Sequence, residues 1–276
     1  MSTAILVLLY GCKPCEAKTL QTLFVSSLNL DHVHLYVWNN GPTLWNDSDL
    51  AYISNSKIKF TTIQSIENKP LSWIYNDFIA MARAQRYVFL DHDSNLNDGF
   101  ISDILSTNDY DIGVPTISSK NANRSPTVNG IFKLGPYSKQ DVVIAIGSGI
   151  TASHTVIEKL QQRYGDVFDS SFAFYGVDTS FFLRVYQCGL ADRIVNLGGF
   201  EHSLSRLEVE SVEKQKFRMK ERSIDQGLML RYYSGRYHVL RLIKFLIETK
   251  LCKGRFYLSN LLKAYMTGKH PKCLAK

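Results

Sequence analysis

Tyr87-Val88-Phe89-Leu90-Asp91-His92-Asp93 decides how this chain is read. Four apolar residues followed by a charged triplet describe a buried strand that runs out of a core into a polar loop. Outward from it, residues 72–86 carry a helical pattern and residues 58–63 suggest a short strand. Residues 33–38 (VHLYVW) predict another strand, ended by the turn signal Asn39-Asn40-Gly41-Pro42. Residues 3–10 predict the first strand, and Ala17, Leu20, Leu23 and Phe24 give residues 14–27 helical spacing. Strands alternating with helices predict an α/β fold with a mostly parallel central sheet flanked by helices. Such sheets bind ligands beyond the carboxyl ends of their strands, where Asn39, Asn40, Asp91 and Asp93 fall.

On the other side of the triplet, residues 118–130 are rich in Ser, Asn, Arg and Pro and read as a mobile loop. Residues 142–150 (VVIAIGSGI) read as a strand entering a glycine turn, and residues 153–163 as a helix. A further helix is expected to start near Asp178, and residues 193–197 to form a strand before Gly198-Gly199 and Phe200-Glu201-His202. After Leu207 the chain becomes helical and basic, so a domain over 1–207 and an extension over 208–276 are expected. In residues 237–248, Arg241, Lys244 and Glu248 share a face, with Leu240, Ile243, Leu246 and Ile247 on the others. That pattern suits an interfacial helix, and equally a helix packed on the main domain.

The triplet carries chemistry as well as fold. Two aspartates one residue apart at a strand end can place one carboxylate on a divalent cation and the other near a ribose. Mg²⁺ and Mn²⁺ prefer such oxygen ligands and neutralise a departing diphosphate. An ordinary acidic loop or a helix cap has the same composition.

The wider context resembles the core of family 2 glycosyltransferases, which share the nucleotide-sugar-binding GT-A fold. The resemblance runs over residues 3–207. It rests on Asn68-Lys69-Pro70-Leu71-Ser72, Asn76, Ala80 and Ala84 leading into the triplet, then on Gly147-Ser148-Gly149. Phe174-Tyr175-Gly176-Val177-Asp178 resembles the Glu-Asp motif of that family, with Val177 where its Glu stands, and His202-Ser203-Leu204-Ser205 resembles its metal-contacting His segment. The feel is of bacterial polysaccharide enzymes, including rhamnosyltransferase-like members.

The resemblance implies Asp93 as main metal ligand, Asp91 at the ribose or metal, and His202 completing the site with Mg²⁺ or Mn²⁺. It implies Asp178 as general base, hence single displacement with inversion; a helix N-cap is its simpler role. Nucleotide-sugar contacts are expected from Tyr10, Gly11, Asn39, Asn40, Asn76, Asp91, His92 and Gly149. Asn amides can pair with a pyrimidine edge, although Asn-Asn-Gly-Pro also makes a plain turn. The expected donor is a UDP- or dTDP-sugar, and the expected acceptor a polyprenyl-diphosphate-linked glycan, as in O-antigen or capsule synthesis.

Charge is uneven. Residues 213–276 hold 16 Lys+Arg against 4 Asp+Glu, whereas the rest holds 16 against 21. A basic tail on an acidic body points to an anionic partner, here a membrane surface rather than nucleic acid, since too few aromatics interleave with the basic residues. Residues 4–9 lack the flanks of a signal peptide, and no stretch reaches transmembrane length, so a cytoplasmic protein at the inner membrane face is expected. Cys12-Lys13-Pro14-Cys15 has redox spacing, but the strands and helices that follow have the wrong order for a thioredoxin-like unit. The rival readings are a nucleotidyltransferase, which would carry a glycine-rich basic loop after the first strand, and an inactive scaffold in a polysaccharide assembly complex.

Overall fold

The computed structural model describes residues 2–106, 110–120, 122–202, 211–251 and 256–274. The first half is β1 (Thr3–Leu9), α1 (Lys18–Phe24), β2 (Val33–Asn39), α2 (Asp47–Ser54), β3 (Lys59–Gln64), α3 (Leu71–Ala82) and β4 (Arg86–Asp91). The second half of the sheet region contains β5 (Ser94–Asn95), α4 (Asp98–Leu105), β6 (Ile112–Ser119), β7 (Ala122–Ser125), β8 (Thr127–Val128), β9 (Ile131–Phe132), β10 (Val143–Ile144) and β11 (Ile150–Ser153). Then come α5 (His154–Tyr164), α6 (Val177–Gln187), β12 (Ile194–His202), α7 (Val212–Tyr232), α8 (His238–Leu251) and α9 (Leu258–Thr267).

The main sheet runs β3-β2-β1-β4-β11-β6-β12-β5, with β7 paired to β6. β3, β2, β1 and β4 are mutually parallel, as the strand–helix alternation requires. Beyond β4 the sheet is mixed: β11 is antiparallel to both neighbours, and β12 is parallel to β6. β1 explains the central placement. Ala4, Leu6 and Leu8 enter one apolar layer, while Ile5, Val7 and Leu9 enter the other. A strand buried on both faces must be central and covered by helices.

Three local expectations change. The helix expected from 14 to 27 is interrupted, because a 3-10 turn at Pro14–Glu16 ends in extended Ala17 before α1 begins. The stretch 118–130, expected to be a mobile loop, forms antiparallel strands instead: β7 folds back on β6 with Ile117 opposite Ser125, and β8 pairs with β9 and β10. Asn123, Arg124, Ser125 and Thr127 of this stretch line a cavity, which composition does not reveal. The strand expected over 193–197 continues to His202. Gly198 and Gly199 do not end it; they let it pass close to its neighbours. A Cβ on Gly198 would lie 2.9 Å from the Phe100 nitrogen, and one on Gly199 would lie 2.7 Å from the Thr116 carbonyl oxygen.

The boundary expected at residue 207, together with Ser203, Leu204, Ser205 and Cys252, lies outside the described residues. α7 packs on α9 where Gly227 leaves no room for a side chain against the Leu261 backbone. Tyr233, just past α7, donates to Asp169 at 2.7 Å, and buried His270 contacts buried Glu221 of α7 at 2.8 Å. The first contact holds the end of α7 against the segment preceding α6, and the second ties α7 to the stretch after α9.

Candidate active site

β4 delivers Asp91 at its last residue, with Asp93 two positions on. β12 ends on His202, which pairs with Ser94 of β5 and so lies beside the aspartates despite more than 100 residues of separation. His202 Nδ1 lies 3.3 Å from Asp93 Oδ1, and Nε2 lies 3.8 Å from Asp91 Oδ2. One ligand atom from each residue falls within 4.8 Å of the other two. Two carboxylate oxygens and one imidazole nitrogen fit a divalent cation, and the oxygen majority suits Mg²⁺ or Mn²⁺. Ser94 fixes the imidazole: its Oγ is 3.1 Å from His202 Nδ1 and 2.7 Å from Ser148 Oγ. Ser148 in turn accepts the Asp91 N–H at 3.1 Å. The serines thus tie the Gly147-Ser148-Gly149 turn to the acidic strand end.

Asp178 sits in the first turn of α6, and Gly176 caps that helix with φ +76°. Burial pushes its carboxyl above the ordinary range, while N–H donation from Thr179 at 2.7 Å, and from Asp178 itself and Gly147, pulls it back. A carboxylate left slightly basic is suited to taking a proton. Asp91 is likewise pushed up by burial, against the pull of His202. Tyr75 of α3 is raised well above its usual value by burial and by the nearby Asp91 and Asp178 charges, so its hydroxyl stays protonated and able to donate.

Two adjoining cavities meet at Asp178. The first, about 290 Å³, is lined by Asp91, His202, Gly147, Tyr75, Arg218 and Arg222. The second, about 540 Å³, is bounded by β7 and α7 and includes Arg124, Thr127, Arg222 and Asp225. The walls formed by Ile146, Tyr175, Gly176, Asp178 and Arg222 belong to both. Larger space exists on the surface between α1 and α2, about 830 Å³ lined by residues such as Gln21, Asn29 and Lys57, but it holds none of these groups.

Several of the expected contact residues are engaged within the fold. Asn39 and Asn40 are each only 1% exposed. Asn39 donates to the Thr43 carbonyl and Gln64 and accepts from the Gly41 N–H. Asn40 donates to Asn68 and the Lys69 carbonyl and accepts from the Lys69 N–H. Both amides are thus spent within the fold. Asn76 is also structural: it donates to the Phe168 carbonyl at 2.8 Å and accepts from the Val167 and Phe168 N–H groups. Gly149 is buried under Pro115 and Phe200 at φ +88°, and Gly147 is the glycine that faces the first cavity. Tyr10 and Gly11 are exposed at the end of β1, and His92 is half-buried, its carbonyl accepting from the Thr19 N–H. The Cys12 thiol is pushed up to about 11, first by burial and then by Glu16, opposite to what redox reactivity requires.

Sequence reasoning missed Arg124, Arg218, Arg222 and Asp225. The last three recur at spacings of four and three on α7, a stripe of charge along one helix face that the sequence does display.

No protein-family model matches the chain, and no curated protein matches it by sequence. Solved structures do match. Staphylococcus aureus TarS 1-349 in complex with UDP-GlcNAc aligns with TM-score 0.57 and 14% identity over 99% of this chain and 83% of that one. TarS 1-349 without that ligand gives 0.54 and 13% over 83% of this chain, and the match spans only 64% of the TarS chain. Glucosyl-3-phosphoglycerate synthase from Mycobacterium tuberculosis with Mn²⁺, UDP and glucosyl-3-phosphoglycerate gives 0.51 and 15%, over 83% and 78%. At these identities the likeness speaks to architecture, and the architecture is the GT-A fold: a curled mixed sheet flanked by helices, its acidic strand end open to a cavity.

Proposed function

We propose that the chain is an inverting family 2 glycosyltransferase that moves a sugar from a nucleoside diphosphate to a hydroxyl acceptor. The observation that carries this reading is the position of Asp178 at the junction of two cavities, one of them ending on Asp91 and His202. The sugar nucleotide occupies the first cavity, with Asp91, Asp93 and His202 holding Mg²⁺ or Mn²⁺. When bound, the cation neutralises charge on the departing diphosphate. Arg218 and Arg222 face the same space and add positive charge there. The acceptor enters through the second cavity, and Asp178 takes its hydroxyl proton as the oxygen attacks. Attack from the side opposite the leaving group inverts the anomeric carbon.

Solved neighbours with UDP-GlcNAc, and with Mn²⁺ and UDP, support a uridine nucleotide and manganese. A polyprenyl-diphosphate-linked acceptor in surface polysaccharide synthesis fits a peripheral enzyme at an anionic membrane. α8 supports that placement, because Leu240, Ile243 and Ile247 are exposed beside exposed Arg241 and Lys244. No helix among the described residues is long and apolar enough to cross a membrane.

Calorimetric titration with UDP and dTDP, with and without Mn²⁺, tests the donor site. Metal-dependent binding weakened about 100-fold in Asp93→Ala is the expected result. Nucleotide binding indifferent to metal and to this substitution would remove the metal role, and no nucleotide binding at all would remove the transferase reading.

A further inference from the structure

The second cavity has a chemical bias of its own. Arg124 lines it from β7, half-buried, with its Nε enclosed and lacking any hydrogen-bond partner. No ion pair to Arg124 occurs among the described residues. An enclosed Nε–H without an acceptor is costly, and the planar guanidinium fork matches phosphate and carboxylate oxygens. Arg222 reaches the same cavity from α7, with Arg218 facing the first cavity one turn earlier on that helix.

Two carboxyls also line this space, Asp178 and Asp225, and Asp225 interacts with Arg222 rather than with Arg124. Asp178 is committed to the Thr179 N–H. Asp225 packs so closely on Gly176 that a Cβ there would collide with its Oδ1, and that oxygen has no hydrogen-bond partner. Neither carboxyl is paired with Arg124 among the described residues, and Arg124 reaches the cavity from β7 rather than from α7.

Resting on the transferase reading above, we propose that the acceptor carries a phosphate group held between Arg124 and Arg222, with its reacting hydroxyl directed to Asp178. The cavity size suits a sugar or polyol with one such group. Arg124 lines only this cavity, so its contribution is to the acceptor and not to the sugar nucleotide.

The test uses full-length protein loaded with UDP and Mn²⁺, so that the donor phosphate site is filled. Glycerol 3-phosphate, farnesyl phosphate and glycerol are titrated as probes, into wild type and Arg124→Gln. Glycerol 3-phosphate should bind and glycerol should not, and Arg124→Gln should weaken the phosphate probe at least about tenfold while leaving UDP affinity unchanged. Arg124→Lys, which keeps charge without the fork, should fall between them, and a thermal melt of each variant confirms that it folds. Tighter farnesyl phosphate binding identifies a lipid-linked phosphate as the source, and tighter glycerol 3-phosphate binding a soluble one. Equal phosphate affinity in wild type and Arg124→Gln, or no phosphate binding in wild type, overturns the proposal. Failure of UDP to bind is read separately in the first titration and sinks the donor reading; the phosphate titration on unloaded protein still reports on Arg124.

Discussion

The carboxyl ends of β2 and β4 lie two strands apart in one sheet, and both carry a cluster of polar residues. At β2, Asn39 and Asn40 are buried and their amides are spent on neighbouring backbone and side chains. At β4, Asp91 and Asp93 converge on His202, and burial pushes the Asp91 carboxyl up against the pull of His202. The first end spends its polar side chains on the fold, and the second turns Asp91 and His202 toward a cavity. Saturation of hydrogen bonds separates them, where residue type and strand-end position do not.

The sharpest way to break this contrast is at the junction of the cavities. Asp178→Asn keeps the size and the Thr179 hydrogen bond but removes the base. Turnover should fall by about 10²–10⁴ with UDP affinity unchanged, measured by steady-state kinetics and calorimetry. Loss of nucleotide binding instead would mean that Asp178 belongs to the donor cavity alone. At the β2 end the signature reverses. Asn40→Ala strips the Lys69 N–H and carbonyl of their partner, so stability should fall by about 1–3 kcal/mol. Metal-dependent UDP affinity should stay within a factor of a few, and a large loss of affinity at full stability would make Asn40 a ligand contact after all.

What the sequence reveals follows the same division. The triplet after β4 and the acid at the start of α6 are legible because the apolar run and the charge are contiguous. His202 is legible only through the order of motifs, since β12 must pass two glycines before it pairs with β5. What Asn39, Asn40 and Asn76 bond to is not legible, because Gln64, Asn68 and Lys69 come from later in the chain and Asn76 is held by carbonyl and N–H groups about 90 residues away. Whether an amide is already satisfied is a property of the assembled fold. Arg124 was hidden for a related reason: a Ser-, Asn- and Pro-rich stretch looks like solvated loop until β7 is seen folded onto β6. The stripe of Arg218, Arg222 and Asp225 was visible, but nothing in the chain says that α7 turns that face toward Asp178.

Asp225 sharpens the comparison through pH. Burial, then repulsion from Asp178, raises its carboxyl to about 7, with Arg222 opposing. An acid whose pKa is raised on folding holds its proton more tightly in the folded state. Its stabilising contribution is full below the usual carboxylate range, and is lost as pH rises through about 7. Asp225→Asn cannot lose a proton, so relative to wild type it should melt higher at pH 8 and near the same temperature at pH 4. Parallel melting curves across that range would show that Asp225 is ionised and compensated in the folded protein.

The smallest effect on stability is expected on α8, farthest in character from the β4 end. There Leu242 packs into a small apolar cluster with Leu230 and Leu261, while Leu240 and Ile243 remain 63% and 49% exposed. Apolar groups that leave much of their surface in water contribute little to folding, so Leu240→Ser with Ile243→Ser should change stability by about 0.5 kcal/mol or less per site. Binding to a bilayer draws on the same side chains differently, because insertion removes their apolar area from water while Arg241 and Lys244 stay at the headgroups. Each basic residue near an anionic surface contributes about 1 kcal/mol, and the apolar residues add the part that is indifferent to lipid charge. In flotation with anionic vesicles the double variant should lose most of its binding while its melting curve is unchanged. If wild type floats equally with neutral and anionic vesicles, the basic residues have no part in it; if the double variant unfolds, Leu240 and Ile243 belong to the packed side of the helix and the lipid-facing role of α8 falls.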